Sequence, residues 1–128
     1  MPFRFLEHTA DALAECRGAD VASLMRAAAD AFYAVALQER RSDTSVERTV
    51  PICADTPADR VVRFLQELIF LIEVDRFVAV DVAFDHGPAS DDAITRARLR
   101  GYICDVQDRA AEVKAATYHA LDITRDQD

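Results

Sequence analysis

One segment constrains the fold more than any other: residues 55–75, DTPADRVVRFLQELIFLIEVD. Thr56 is suited to an N-cap, because its hydroxyl can accept an orphan N–H of the first turn, and Pro57 fits the first helical position. Val61, Phe64, Leu65, Leu68, Ile69, Leu71 and Ile72 then recur at three- and four-residue spacing, so the segment predicts a helix with one wide apolar face. Arg63, Gln66, Glu67 and Glu73 are left for solvent. Such a helix must lie on a second apolar layer to hide its face. Glu67 and Glu73 interrupt its hydrophobic run, which is too short to span a bilayer.

The remaining periodicities say what that layer is. Residues 20–38, DVASLMRAAADAFYAVALQ, predict another amphipathic helix, capped by Asp20 and striped by Val21, Leu24, Met25, Ala28, Phe32, Val35 and Ala36. Elsewhere the period drops to two. FRFLEH and DALAECRG, at residues 3–8 and 11–18, predict two short strands around a turn at His8–Asp11. SVERTVPICA, at 45–54, puts Val46, Val50, Ile52 and Ala54 on one side, with Pro51 marking an edge strand or a bulge. Val78, Val80, Val82 and Phe84 are expected to share a face over 76–84. Ala97, Leu99 and Ile103 are expected to oppose Arg96, Arg98 and Arg100 over 94–103. A last strand is expected over 112–123. The order ββαβαβββ implies an α+β fold, a two-layer domain with a mainly antiparallel sheet and two amphipathic helices. At 128 residues the whole chain, 1–128, is expected to be a single domain.

Charge narrows the function. Fifteen Lys+Arg against 23 Asp+Glu leave −8, which disfavours independent RNA binding and suits a basic protein partner or a cation. The three cysteines form no CxxC pair and are expected to be small buried thiols of a reducing cytoplasm. Neither a signal peptide nor a membrane span is expected. No Gly-rich phosphate loop, HExxH helix or GxSxG elbow occurs, so the chain displays no self-contained catalytic set.

Two polar clusters interrupt this pattern. At 7–11, EHTAD, Glu7 and Asp11 offer oxygen to Ca²⁺ or Mg²⁺ and His8 adds a nitrogen donor; the plainer alternative is an Asx turn built on Asp11. At 112–121, EVKAATYHAL, Lys114 can reach a phosphate as a point charge, or it can simply guard a sheet edge. Tyr118 shares the face of Lys114, whereas His119 points the other way and reads as a partly buried histidine. The Arg96, Arg98, Arg100 stripe suits phosphates or an acidic partner, or is simply a solvated sheet face, and its acidic neighbours argue against an RNA groove.

EHTAD near the start, FLQELIFLIEVDRF in the middle and EVKAATYHAL near the end, in that order along nearly the whole chain, resemble the archease family. The resemblance implies a compact α+β sandwich and a non-catalytic role. The resemblance also implies an accessory cofactor of the RtcB-type RNA ligase of tRNA splicing and RNA repair. That ligase guanylylates its own histidine from GTP, and the cofactor promotes this step and multiple turnover. By position, Asp11 matches the family's metal-associated aspartate and Lys114 a lysine tied to ligase activation, with His8, Tyr118 and His119 as supporting groups. Family members usually end in a further strand with an acidic residue that completes the cation site. This chain ends ALDITRDQD, so the resemblance implies a site short of one ligand and an open sheet edge that invites a homodimer. Two other roles fit the residues less closely: a chaperone or adaptor for RNA-modifying enzymes, and a small metal-dependent enzyme using His8, Asp11 and His119.

Overall fold

The computed structural model describes residues 3–6, 13–16, 20–87 and 94–109. Along them run β1 (Phe3–Leu6), β2 (Leu13–Cys16), α1 (Val21–Ala36), β3 (Val46–Pro51), α2 (Pro57–Asp75), β4 (Phe77–His86), β5 (Ile94–Ile103) and a 3-10 turn at Val106–Asp108. This is the expected α+β order as far as β5; the strand expected over 112–123 lies outside the described residues. So does the expected turn at His8–Asp11, and of the two flanking strands the described parts are Phe3–Leu6 and Leu13–Cys16.

Both helix starts are set by the residues read from sequence. Asp20 accepts a bond from the Ser23 N–H at 2.7 Å, and Thr56 Oγ1 accepts one from the Asp59 N–H at 3.1 Å with Pro57 inside the first turn. α2 ends differently. Arg76 sits in the left-handed region, φ 55°, and its N–H closes the helix on the Ile72 carbonyl. That single residue turns the chain straight into β4.

β1 and β2 pair antiparallel, with Leu6 opposite Leu13. β3, β5 and β4 form a second antiparallel sheet in that order. Pro51 lies on β3 at the edge of this sheet, where its missing N–H takes nothing from the ladder. The helices cover one face. Val61, Phe64, Leu68, Ile69, Leu71 and Ile72 of α2 are buried with Ala97 and Leu99 of β5, and the Phe64 and Phe84 rings meet edge-on at 5.4 Å. α1 touches β1, β2, β4 and α2. Its burial therefore exceeds one stripe: Ala27, Ala29, Ala31 and Tyr33 are buried as well, and small side chains permit that close approach. Leu24 and Val35 are only half-buried.

Two expectations for the sheet are corrected by one irregularity. The β4–β5 register slips between Ala79 and Asp81, leaving Val80 as an extra residue. A bulge of this kind shifts every side chain beyond it to the other face. Val82 and Phe84 lie opposite Leu99 and Ala97 on the helix side, but Val78 lies opposite Tyr102 on the face that carries the arginines. The four residues expected on one face are thus divided between two. Ile103, expected to be buried, is 39% exposed, while Tyr102 is buried. The Tyr102 hydroxyl accepts the Arg41 N–H at 3.0 Å, and the Arg41 guanidinium lies over its ring at 4.2 Å. The strands approach most closely at Gly101, where a Cβ would stand 1.7 Å from the Val78 carbonyl oxygen.

Candidate functional site

The positions read from sequence as functional fall on two segments, and Asp11, Lys114, His8, Tyr118 and His119 all lie outside the described residues. What is described is how the flanks of those segments are held. On the first, the Leu6–Leu13 pair closes the β1–β2 ladder on either side of residues 7–12. On the second, the chain is fixed as far as Arg109. Its guanidinium pairs with Glu73 of α2 at 2.7 Å, and its backbone forms a bridge with Leu37 at the end of α1. The Gln38 N–H donates to the Asp108 carbonyl beside it at 3.0 Å. Arg109 is therefore clamped by both helices.

The arginine stripe is fully described. Arg96 Nε meets Asp85 Oδ2 at 2.6 Å, Arg98 Nη2 meets Asp85 Oδ1 at 3.2 Å, and Arg100 Nε meets Glu47 Oε1 at 3.7 Å. The hydrogen bond from Arg96, helped by the charge of Arg98, holds the Asp85 carboxyl below its ordinary value. Register explains the pairing. Arg100 lies between Glu47 on β3 and Asp81 on β4, and Arg96 lies opposite Asp85. The stripe is a mixed-charge face, paired across strands, and two carboxylates offset most of the charge of its three arginines.

The cysteines separate. Cys104 is buried, and burial pushes its thiol above the ordinary range. Cys53 is exposed, against the expectation of a buried thiol, because it follows the inward Ile52 just past β3. Cys53 also lines a shallow groove of about 350 Å³ with Asp55, Asp59, Val62, Arg63 and Gln66. Among the described residues no three His, Cys, Asp or Glu side chains converge as metal ligands. No helix among them is long and apolar enough to cross a membrane.

Arg40, four residues past the end of α1, is not among the positions read from sequence as functional. Its guanidinium donates to the Ala79 carbonyl through Nε at 3.1 Å and also through Nη2, pairs with Asp30 at 2.6 Å and stacks on Tyr33 at 4.6 Å from the ring centre. No local pattern announces this, since its partners lie in other elements.

The sequence model of the Archease protein family (MTH1598/TM1083) matches residues 3–128. Protein archease of Archaeoglobus fulgidus is 30% identical over 127 residues, covering 98% of this chain and 90% of that protein. Protein archease of Methanosarcina mazei is 27% identical, covering 96% of this chain and 86% of that one. Among solved structures, the solution structure of Methanobacterium thermoautotrophicum protein 1598 superposes with a TM-score of 0.69 at 25% identity, over 95% of this chain and 90% of that one. A family match along almost the whole chain, together with the same two-helix, antiparallel-sheet fold, means that this chain belongs to the archease family.

Proposed function

We propose that this archease-type protein acts in the cytoplasm as a non-catalytic activator of an RtcB-type RNA ligase, promoting transfer of GMP from GTP to the ligase and its return for further turnovers. The family match along residues 3–128 is the observation that supports this reading. In it, Asp11 and Lys114 are presented to the ligase from two distant stretches of chain. Lys114 supplies an ammonium for a nucleotide phosphate or a ligase carboxylate. Asp11 supplies a hard oxygen ligand suited to Ca²⁺ or Mg²⁺. Such a cation takes six or more oxygens, so Asp11 needs ligands from elsewhere, and water or the partner protein can provide them. His8, Tyr118 and His119 act as neighbours that orient the two charged groups.

The test is covalent incorporation of labelled GMP into an RtcB-type ligase, with this protein at a tenth of the ligase concentration. The intact chain should accelerate incorporation. Asp11→Ala and Lys114→Ala should fold normally yet lose at least about 1.4 kcal/mol of activation, a tenfold fall in rate. Full stimulation by both variants would refute the assigned roles. No stimulation by the intact chain, with suppressed aggregation of unrelated proteins, would favour a chaperone.

A further inference from the structure

β4 has β5 along one side, and no other strand among the described residues pairs with its opposite side. A bare strand edge offers unpaired N–H and C=O groups to any other strand, and an antiparallel pairing of two identical edges is self-complementary about a two-fold axis. Here the groups that would start such a pairing are already engaged. The outward N–H of Ala79 donates to Tyr33 Oη at 3.0 Å, and its carbonyl accepts from Arg40 through Nε at 3.1 Å and through Nη2. Three residues on, the Val82 carbonyl accepts from Arg26 Nε at 3.2 Å. The bulge at Val80 bends the strand between these two points.

Arg40 has the features of a plug. Asp30 holds Nη1 at 2.6 Å and the Tyr33 ring lies beneath the guanidinium, so two other contacts fix its position while its remaining nitrogens cover one carbonyl. Each aromatic beside the edge carries an arginine, Arg40 on Tyr33 and Arg26 on Phe84 at 5.1 Å. A strand approaching β4 would therefore have to displace a stacked, ion-paired cation before making its first ladder bond. We infer that Arg40 is an edge-blocking residue that keeps β4 from pairing with the β4 edge of a second copy of this chain.

Arg40→Ala opens the Ala79 carbonyl and should raise self-association at least tenfold over wild type in concentration-dependent sedimentation. Asp30→Asn only loosens the plug and should shift association the same way by two- to threefold. Amide exchange identifies the face: over residues 78–84 it should slow as concentration rises, while over 46–51 it should not change. Far-UV circular dichroism establishes that each variant is folded, and if Arg40→Ala fails to fold, Asp30→Asn decides alone. Sedimentation unchanged from wild type in the folded variants, or protection appearing on β3 instead, overturns the inference.

Discussion

At the scale of single residues, two buried positions show how much depends on one atom. Gly101 lets β4 and β5 close, because any Cβ there would collide with the Val78 backbone. Tyr33 carries a polar atom into the core, and its hydroxyl accepts the Ala79 N–H, so the buried donor keeps a partner. Burial raises the phenol to about 12, partly opposed by the Ala79 hydrogen bond and the Arg40 charge. The fold thus prefers the neutral phenol more strongly than the unfolded chain does, where the ordinary value is about 10. That stabilisation is complete below pH 10 and is lost as pH rises from there through 12. Measured as the stability of wild type minus that of Tyr33→Phe, the difference should fall by up to about 3 kcal/mol across this window. A flat difference in denaturant unfolding would mean that the phenol is not protected.

At the scale of elements, capping residues and turns account for how well the chain could be read. Asp20, Thr56 and Pro57 act within a few residues of themselves, so both helices were legible from sequence, as were β3 and the inward Ala97 and Leu99. The bulge at Val80 was not, because it depends on what lies opposite: Gly101 and the Tyr33–Arg40 pair sit far away in sequence. Alternation alone continues through a bulge and places Val78 on the wrong face. Of the candidate site, the two segments that the sequence proposes lie outside the described residues, and Arg40 was invisible for the same non-local reason. The α2–β4 connection offers a test of element-level strain. Arg76 adopts φ 55°, a conformation that costs a residue with a Cβ about 1 kcal/mol and glycine nothing. The Arg76 side chain is exposed, and the backbone bond from the Cys104 N–H to its carbonyl at 2.8 Å needs no side chain. Arg76→Gly should therefore stabilise the protein by about 0.5 kcal/mol or more, seen as a higher urea midpoint with unchanged slope. A lower midpoint would mean that the turn relies on the arginine itself.

At the scale of the whole molecule, the charge distribution bears on the proposed partnership with an RNA ligase. The net charge is −8. The most concentrated run of cations, Arg96, Arg98 and Arg100, is matched by Asp85 and Glu47 across the strands, so it adds little positive field at the distance of an RNA backbone. Elsewhere in the described structure arginines are engaged within the fold: Arg26 and Arg40 on β4, Arg48 with Asp75 and Arg109 with Glu73. Binding of RNA depends on cations free to displace counterions, and among the described residues these arginines are occupied. The chain should therefore fail to retain tRNA in a gel-shift experiment even at about 50 mM salt, where nonspecific binding is strongest. In the proposed role, its stimulation of GMP transfer should be equal with and without RNA, because the assisted step uses GTP and the ligase alone. Tight RNA retention at that salt, or a strict requirement for RNA in the stimulated step, would move the site of action from the guanylylation reaction to the RNA itself.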